Sequence, residues 1–257
     1  MKLSQVAAQL HTVREHCATP AGLAATAKKI RALGYTAIEL SGTAAFAAND
    51  VAAIARDAGL AICAELQPPA EILARPEACI ARLRQLGCRF AVYPWPEGVD
   101  FANAAQRHAL IRQLDAAGAT FRAAGLTLAY HNHALEFVKL AGATFLDELF
   151  ASTVPQNLAA ELDTFWIHYG GGDVVAWCEK LRGRLPLLHV KDYGFTAENS
   201  HTWCEVGAGT LDWPAIVAAA ERSGCEWFIV EQDTCPGDPF DSLRASFEFV
   251  ATHLAAR

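Results

Sequence analysis

Residues 126–137 read LTLAYHNHALEF. The run Leu126 to Tyr130 has the length and apolar content of a buried strand. It passes directly into His131, Asn132, His133 and Glu136. So many coordinating and titratable groups at the end of a strand suit the wall of a site better than a core. Three further runs end the same way. Asn157–Leu162 leads to Asp163, Leu185–Leu188 leads to His189, Val190, Lys191 and Asp192, and Trp227–Val230 leads to Glu231, Gln232 and Asp233.

Outward from these tips, one phrase recurs: helix, glycine, apolar strand, polar tip. It is visible in LGYTAIEL, AGLAICAEL, LGCRFAVYP, AGLTLAYHN and SGCEWFIVEQ. Strands are expected at Leu3–Leu10, Tyr35–Leu40, Leu60–Leu66 and Arg89–Tyr93, followed by the four runs above. A helix starts at Thr19-Pro20, because threonine caps and proline suits the first turn, and runs to Leu33. Asn49-Asp50 is expected to cap the next helix, to Ala58, and Pro68-Pro69 reads as a turn. Further helices are expected at Pro76–Leu86, Phe101–Ala124, Thr144–Ala151, Asp173–Leu181, Asp212–Ser223 and Pro239–Leu254, with a long loop from Tyr193 to Thr210. Eight strand–helix units in ~250 residues predict an α/β fold, a single (β/α)8 TIM barrel domain over residues 1–257. An open doubly wound sheet would usually carry a glycine-rich fingerprint after its first strand. Here Gln9, His11, Thr12 and Arg14 follow instead. In a barrel the C-terminal strand ends share one face, so distant tips meet.

Composition narrows the class. Of 257 residues 53% are hydrophobic and 19% charged, which supports a large buried core. The net charge is −7 and no basic run occurs, so nucleic acid is not an expected partner. No apolar stretch approaches the ~20 residues that span a bilayer, and no membrane partner is expected. MKLSQVAAQL lacks a signal-peptide core and cleavage site. A cytoplasmic location is therefore expected, and the eight cysteines, which form no CxxC pair, are expected to be reduced. The expected partner is a small molecule, and a homo-oligomer is compatible with this composition.

Glu136, Asp163, His189 and Glu231 together make three carboxylates and one imidazole. Like charges crowd only with a cation between them. Mixed oxygen and nitrogen donors suit one divalent ion, Mn2+, Mg2+, Co2+ or Zn2+. His131 and His133 share a strand face, as substrate contacts or as rim hydrogen bonders. Glu39 and Glu65 end the second and third strands, each a substrate contact or a rim salt bridge. Trp95, Phe137 and Trp166 are aromatics that can stack on a sugar ring or simply pack. Gly207 and Gly209 in EVGAGTLDW read as a loop turn before a helix capped by Asp212 rather than as a phosphate cradle.

The motifs YHNHALEF, ELDTFW, HVKD, EVGAGTLDW and IVEQD resemble those of the xylose-isomerase-like sugar phosphate isomerase/epimerase superfamily, over essentially the whole chain. The resemblance implies a (β/α)8 barrel with one divalent metal on Glu136, Asp163, His189 and Glu231, and Glu136 and Glu231 as the acid/base pair. Lys191 matches the lysine of the HxKD motif, a substrate contact. Trp166 stands where the ketose 3-epimerases carry a histidine, and Asp192-Tyr193-Gly194-Phe195 stands where they carry an arginine. Both departures count against the open-chain ketose specificity of those enzymes, and a ring-form keto-sugar or keto-cyclitol fits the HNHxxEF-type branch at least as well. The implied activity is metal-dependent isomerisation or epimerisation of a keto-sugar or related polyol through a metal-stabilised enediolate. The alternatives are a metal-dependent lyase or dehydratase on a keto-sugar or keto-inositol, and a non-catalytic carbohydrate-binding barrel.

Overall fold

The computed structural model describes residues 1–140 and 142–256. Eight parallel strands close into a barrel: β1 (Val6–Gln9), β2 (Ala37–Leu40), β3 (Ala61–Leu66), β4 (Phe90–Tyr93), β5 (Thr127–His131), β6 (Leu158–Asp163), β7 (Leu187–Val190) and β8 (Trp227–Val230). The ring closes where Val6, Ala7 and Ala8 pair with Phe228, Ile229 and Val230. Helices pack outside, and the barrel expected from the sequence is the fold observed.

The two-residue period of the strands sorts their side chains into two cores. Ala7, Ala37, Phe90, Val92, Ala129, Ala159, Leu187 and Ile229 fill the barrel interior. Their neighbours, among them Ala8, Ile38, Ala91, Leu128, Tyr130, Ala160, Leu188 and Val230, pack under the helices. Two residues beyond six of the interior positions stand Gln9, Glu39, His131, Glu161, His189 and Glu231, all buried. One register step therefore converts an apolar plug into a polar layer. At β2–β3 the register shifts between Ile38 and Glu39. The extra residue is Cys63, whose Sγ lies 3.3 Å from the Ile38 carbonyl.

Local chemistry sets most helix starts. Thr19, Asn103, Thr144, Asp173, Asp212 and Asp238 each accept a backbone N–H at a helix N-terminus. Several expectations are corrected. Residues Leu3–Gln5 form a 3-10 turn ahead of a shorter first strand, and a second turn covers Leu10–Cys17. The helix Ala48–Asp57 starts at Ala47 with no side-chain cap, because Asn49 and Asp50 already lie inside it. Pro69 opens a short helix to Ala74 rather than a plain turn. The expected loop 193–210 contains an antiparallel hairpin, Asp192–Phe195 with His201–Cys204. No helix among the described residues is long and apolar enough to cross a membrane. The eight thiols stand free; only Cys204 and Cys235 are not buried.

Candidate active site

At the C-terminal mouth of the barrel β5, β6, β7 and β8 deliver His131, Asp163, His189, Lys191 and Glu231 to one cluster. His189 is fully buried. Its Nδ1 lies 2.9 Å from Glu231 Oε2 and 3.8 Å from Asp163 Oδ2. Its Nε2 lies 2.7 Å from Glu39 Oε2 and 3.3 Å from Glu161 Oε2. His131 Nε2 points to Asp163 Oδ2 at 4.0 Å, and its Nδ1 lies 3.2 Å from Glu161 Oε2. The second of these is a charge contact rather than an aligned hydrogen bond.

Asp163 serves two purposes. Its Oδ1 accepts the Trp166 N–H at 3.0 Å, capping the helix Thr164–Tyr169. Its own N–H donates to Asn132 Oδ1 at 3.0 Å. That leaves Oδ2 buried without a hydrogen-bond donor. Lys191 reaches in from the other side, with Nζ 2.7 Å from Asp233 Oδ1, 3.1 Å from Glu231 Oε2 and 3.4 Å from Asp163 Oδ2. Thr164 braces the end of β7 by accepting the Lys191 N–H at 3.0 Å and donating to the Lys191 carbonyl at 2.8 Å.

Burial sets one pressure on these groups and their neighbours another. Burial opposes charge on His189, but Glu161, Glu39 and Glu231 outweigh it and hold the imidazole well above its ordinary pKa. Burial likewise opposes the Lys191 ammonium, and Asp163, Glu231 and Asp233 overcome it, raising the pKa. Glu231 is held well below its usual range, against burial, by Lys191 and His189. Burial pushes Asp163 up despite Lys191. Glu39 is pushed well up by burial and by the adjoining Glu161 carboxylate, while His189 holds Glu161 down against its own burial. Two carboxyls side by side in a dry interior cannot both ionise cheaply, which is why each opposes charge on the other.

The structure therefore brings together Asp163, His189, Lys191 and Glu231 as the sequence suggests, and leaves Glu136 aside. After His131 the chain turns into the 3-10 segment Leu135–Phe137. There Glu136 accepts from Tyr130 Oη and the His133 N–H, both at 2.8 Å. Tyr130 belongs to the outer core under the helices, and Glu136 is tied to that side of the strand. Among the described residues Glu136 joins no group of donor atoms able to share an ion. His131 does, with Asp163 and His189, one donor atom each within 4.8 Å. Glu39 is no rim salt bridge but lies under His189, whereas Glu65 pairs with Arg82 at 2.8 Å. Glu161 escaped the sequence reading altogether, although it stands two residues before Asp163 on the same face of β6.

His133 and Trp166 continue outward from the cluster. The His133 ring lies 4.8 Å from His131, 5.4 Å from Trp166 and 4.7 Å from Trp95. Burial, with His131 and Lys191 nearby, pushes the His133 imidazole down to about 2 and keeps it neutral. Lys191 Nζ stands 5.3 Å from the Trp166 ring centre. Gly207 and Gly209 donate their N–H groups to Asp192 Oδ2 at 2.8 and 3.1 Å. These amides are engaged inside the loop, as a turn requires.

The donor set fits a divalent ion. Ligand atoms each ~2.1 Å from one ion stand ~3–4 Å from one another; Asp163 Oδ2 lies 3.8 Å from His189 Nδ1 and 4.0 Å from His131 Nε2, and Glu231 Oε2 lies 2.9 Å from His189 Nδ1. The donors are carboxylate oxygens and imidazole nitrogens, and the buried acceptor Oδ2 accepts no aligned hydrogen bond, its nearest cation being Lys191 Nζ at 3.4 Å.

A barrel of this construction, with such a cluster at its mouth, defines a class of metal-site TIM barrels. The model of the xylose isomerase-like TIM barrel family matches residues 27–253, and the chain belongs to that family. Similar solved structures include a sugar phosphate isomerase/epimerase from Parabacteroides distasonis, with 20% identity over 98% of this chain and 95% of that one and a TM-score of 0.81. A probable 3-DHS dehydratase from Bacillus anthracis has 14% identity over 98% and 100% of the chains, with a TM-score of 0.74. A 3-keto-D-glucoside 4-epimerase from E. coli has 15% identity over 96% and 99%, with a TM-score of 0.69. At these identities the likeness is one of fold. No curated protein sequence matches the chain.

Proposed function

We propose that the chain is a divalent-metal-dependent isomerase or epimerase of a keto-sugar or related polyol, working by proton transfer next to a carbonyl. The observation that carries this reading is Asp163 Oδ2, which accepts no hydrogen bond and is buried opposite imidazole nitrogens from two other strands. His131, Asp163, His189 and Glu231 hold the ion in this reading. Bound there, a divalent ion supplies Lewis acidity toward a substrate oxygen and so acidifies the neighbouring C–H.

The protein's own groups do the rest. Glu231 is 6% exposed where Asp163, Glu39 and Glu161 are fully buried, so of these four it is the carboxylate open to the mouth. It removes the proton from the carbon beside the carbonyl. Lys191, kept charged between Asp233 and Glu231, offsets the negative charge that grows on the substrate oxygens. Trp166, His133 and Trp95 line the way in and favour the flat face of a ring-form sugar. Returning the proton to the adjacent carbon is isomerisation, and returning it to the opposite face is epimerisation.

The test is turnover of cyclic keto-sugars by Mn2+-loaded protein in D2O. The expected product carries one solvent deuterium on a carbon next to the carbonyl at unchanged carbon skeleton. Loss of water from the product would instead support the dehydratase chemistry named for the Bacillus anthracis relative. Turnover without any solvent label would refute proton transfer and point to a hydride shift.

A further inference from the structure

We infer that Glu161 and Glu39 are positioning residues that fix the two metal-facing imidazoles from behind, one carboxyl group for each ring, and thereby set the affinity of the site for a divalent ion. The inference rests on the reading that His131, Asp163, His189 and Glu231 hold that ion.

The two rings are anchored through opposite nitrogens. His189 uses Nε2 toward Glu39 Oε2 at 2.7 Å, which leaves Nδ1 facing Asp163 and Glu231. His131 uses Nδ1 toward Glu161 Oε2 at 3.2 Å, which leaves Nε2 facing Asp163. An imidazole whose far nitrogen is held by a carboxylate has its tautomer and rotation fixed, and its free nitrogen becomes a stronger donor. Glu161 stands between the rings, since the same Oε2 is 3.3 Å from His189 Nε2.

Beyond the histidines neither carboxyl has a charged partner among the described residues, although with His189 the two also form a group of donor atoms within 4.8 Å of one another. Both are fully buried, and among the described residues neither pairs with a lysine or arginine. Glu39 also accepts from Gln9 Nε2, and Glu39 Oε1 and both Glu161 oxygens have no aligned hydrogen bond. Two abutting carboxyls of this kind are an expensive way to fill a barrel, and apolar residues of similar volume would be as stable or more so. Their placement makes sense as support for the histidines. Glu161 comes from the strand that supplies Asp163, and Glu39 from β2, where the β2–β3 register shift falls.

The experiment is calorimetric titration of MnCl2 into the metal-stripped full chain, for wild type, Glu161→Gln and Glu39→Gln, with thermal melts of the same metal-free samples. Glutamine keeps the volume and removes the ionisable carboxyl. Each variant is expected to bind Mn2+ about 10–100-fold more weakly, the range for losing an outer partner of a metal histidine. The metal-free melting temperature is expected to stay level for Glu39→Gln, where crowding is relieved, and to fall for Glu161→Gln, which takes a buried charge partner from His189. With Co2+ in place of Mn2+, the visible absorption of the variants should shift as the ring geometry relaxes. Affinities within about twofold of wild type in both variants would overturn the inference. So would a fall in metal-free melting temperature with unchanged affinity, the mark of a purely structural role. If one variant fails to fold, the other still decides, since each acts on a different histidine. Wild type that takes up no Mn2+ would overturn the underlying metal reading, and this inference with it.

Discussion

The choice between His131 and Glu136 as a metal-site residue can be decided by two substitutions with opposite expected outcomes. Glu136→Gln keeps a side chain of the same shape in the pocket made by Tyr130 Oη and the His133 N–H. The glutamine oxygen can accept the His133 N–H, and the Tyr130 hydroxyl can turn to accept from the new amide. Two charge-assisted bonds at ~1.5–3 kcal/mol each become neutral ones at ~0.5–1.5. Burial already works against the charged form of Glu136, which reduces the loss. The expected cost is about 1–2 kcal/mol, or a melting point lower by ~2–8 °C in a chain of this size. Mn2+ affinity should stay within about twofold of wild type.

His131→Ala removes an imidazole nitrogen that stands with Asp163 and His189. Its effect on Mn2+ affinity should exceed the ~10–100-fold that follows when only an outer partner of a ligand is lost. Both variants are measured metal-free by circular dichroism and then by titration calorimetry, so folding and binding are read separately. Metal binding abolished by Glu136→Gln and retained by His131→Ala would refute the assignment and restore the ligand set expected from the sequence.

Two further predictions concern stability. Gly118 lies inside the helix Ala104–Ala123, where a Cβ would stand 1.9 Å from the Asn157 carbonyl oxygen. Gly118→Ala should therefore lower the urea midpoint, by ~1–3 kcal/mol of overpacking. A gain near the ~1 kcal/mol that alanine offers a helix would contradict the contact. His133 has a folded pKa near 2, below its unfolded value of about 6.5. Its contribution is present above pH ~6.5 and is lost as the pH falls toward 2, at up to about 1.4 kcal/mol per unit. His133→Gln should accordingly lose less stability than wild type between pH 6 and pH 4 in parallel urea titrations, and equal losses would count against a desolvated neutral ring.

Much of this was legible in the sequence because a barrel strand carries its own ruler. Helix, glycine, strand and polar tip repeat with little variation, and Asp163, His189, Lys191 and Glu231 are strand-end residues of the kind such a repeat exposes. What the sequence hid has physical causes. The hairpin Asp192–Phe195 with His201–Cys204 lacks an apolar alternation of its own, and its ring contacts are tertiary, such as Trp203 stacked 5.3 Å from Phe165. Asp192 looks like one more acid at the mouth. As the odd-numbered step after His189 and Lys191, it turns outward and ties down Gly207, Gly209 and the Trp213 indole.

The position of Glu136 aside from the cluster follows from the same ruler. Counting by twos from the interior residue Ala129 reaches His131 and then His133, both at the mouth. Counting from Ala159 reaches Glu161 and Asp163, and from Leu187 it reaches His189 and Lys191. Counting from Ile229 reaches Glu231 and Asp233. Glu136 is an odd seven residues past Ala129, beyond the last paired residue of β5, and no strand periodicity aims it anywhere. Its acidity made it attractive as a ligand, but only parity with the alanine layer determines which tip residues face inward. By that criterion a histidine takes the place expected of a glutamate on β5. In that reading the site has two imidazoles to be oriented, which gives the buried carboxyls Glu161 and Glu39, in the same polar layer, something to hold.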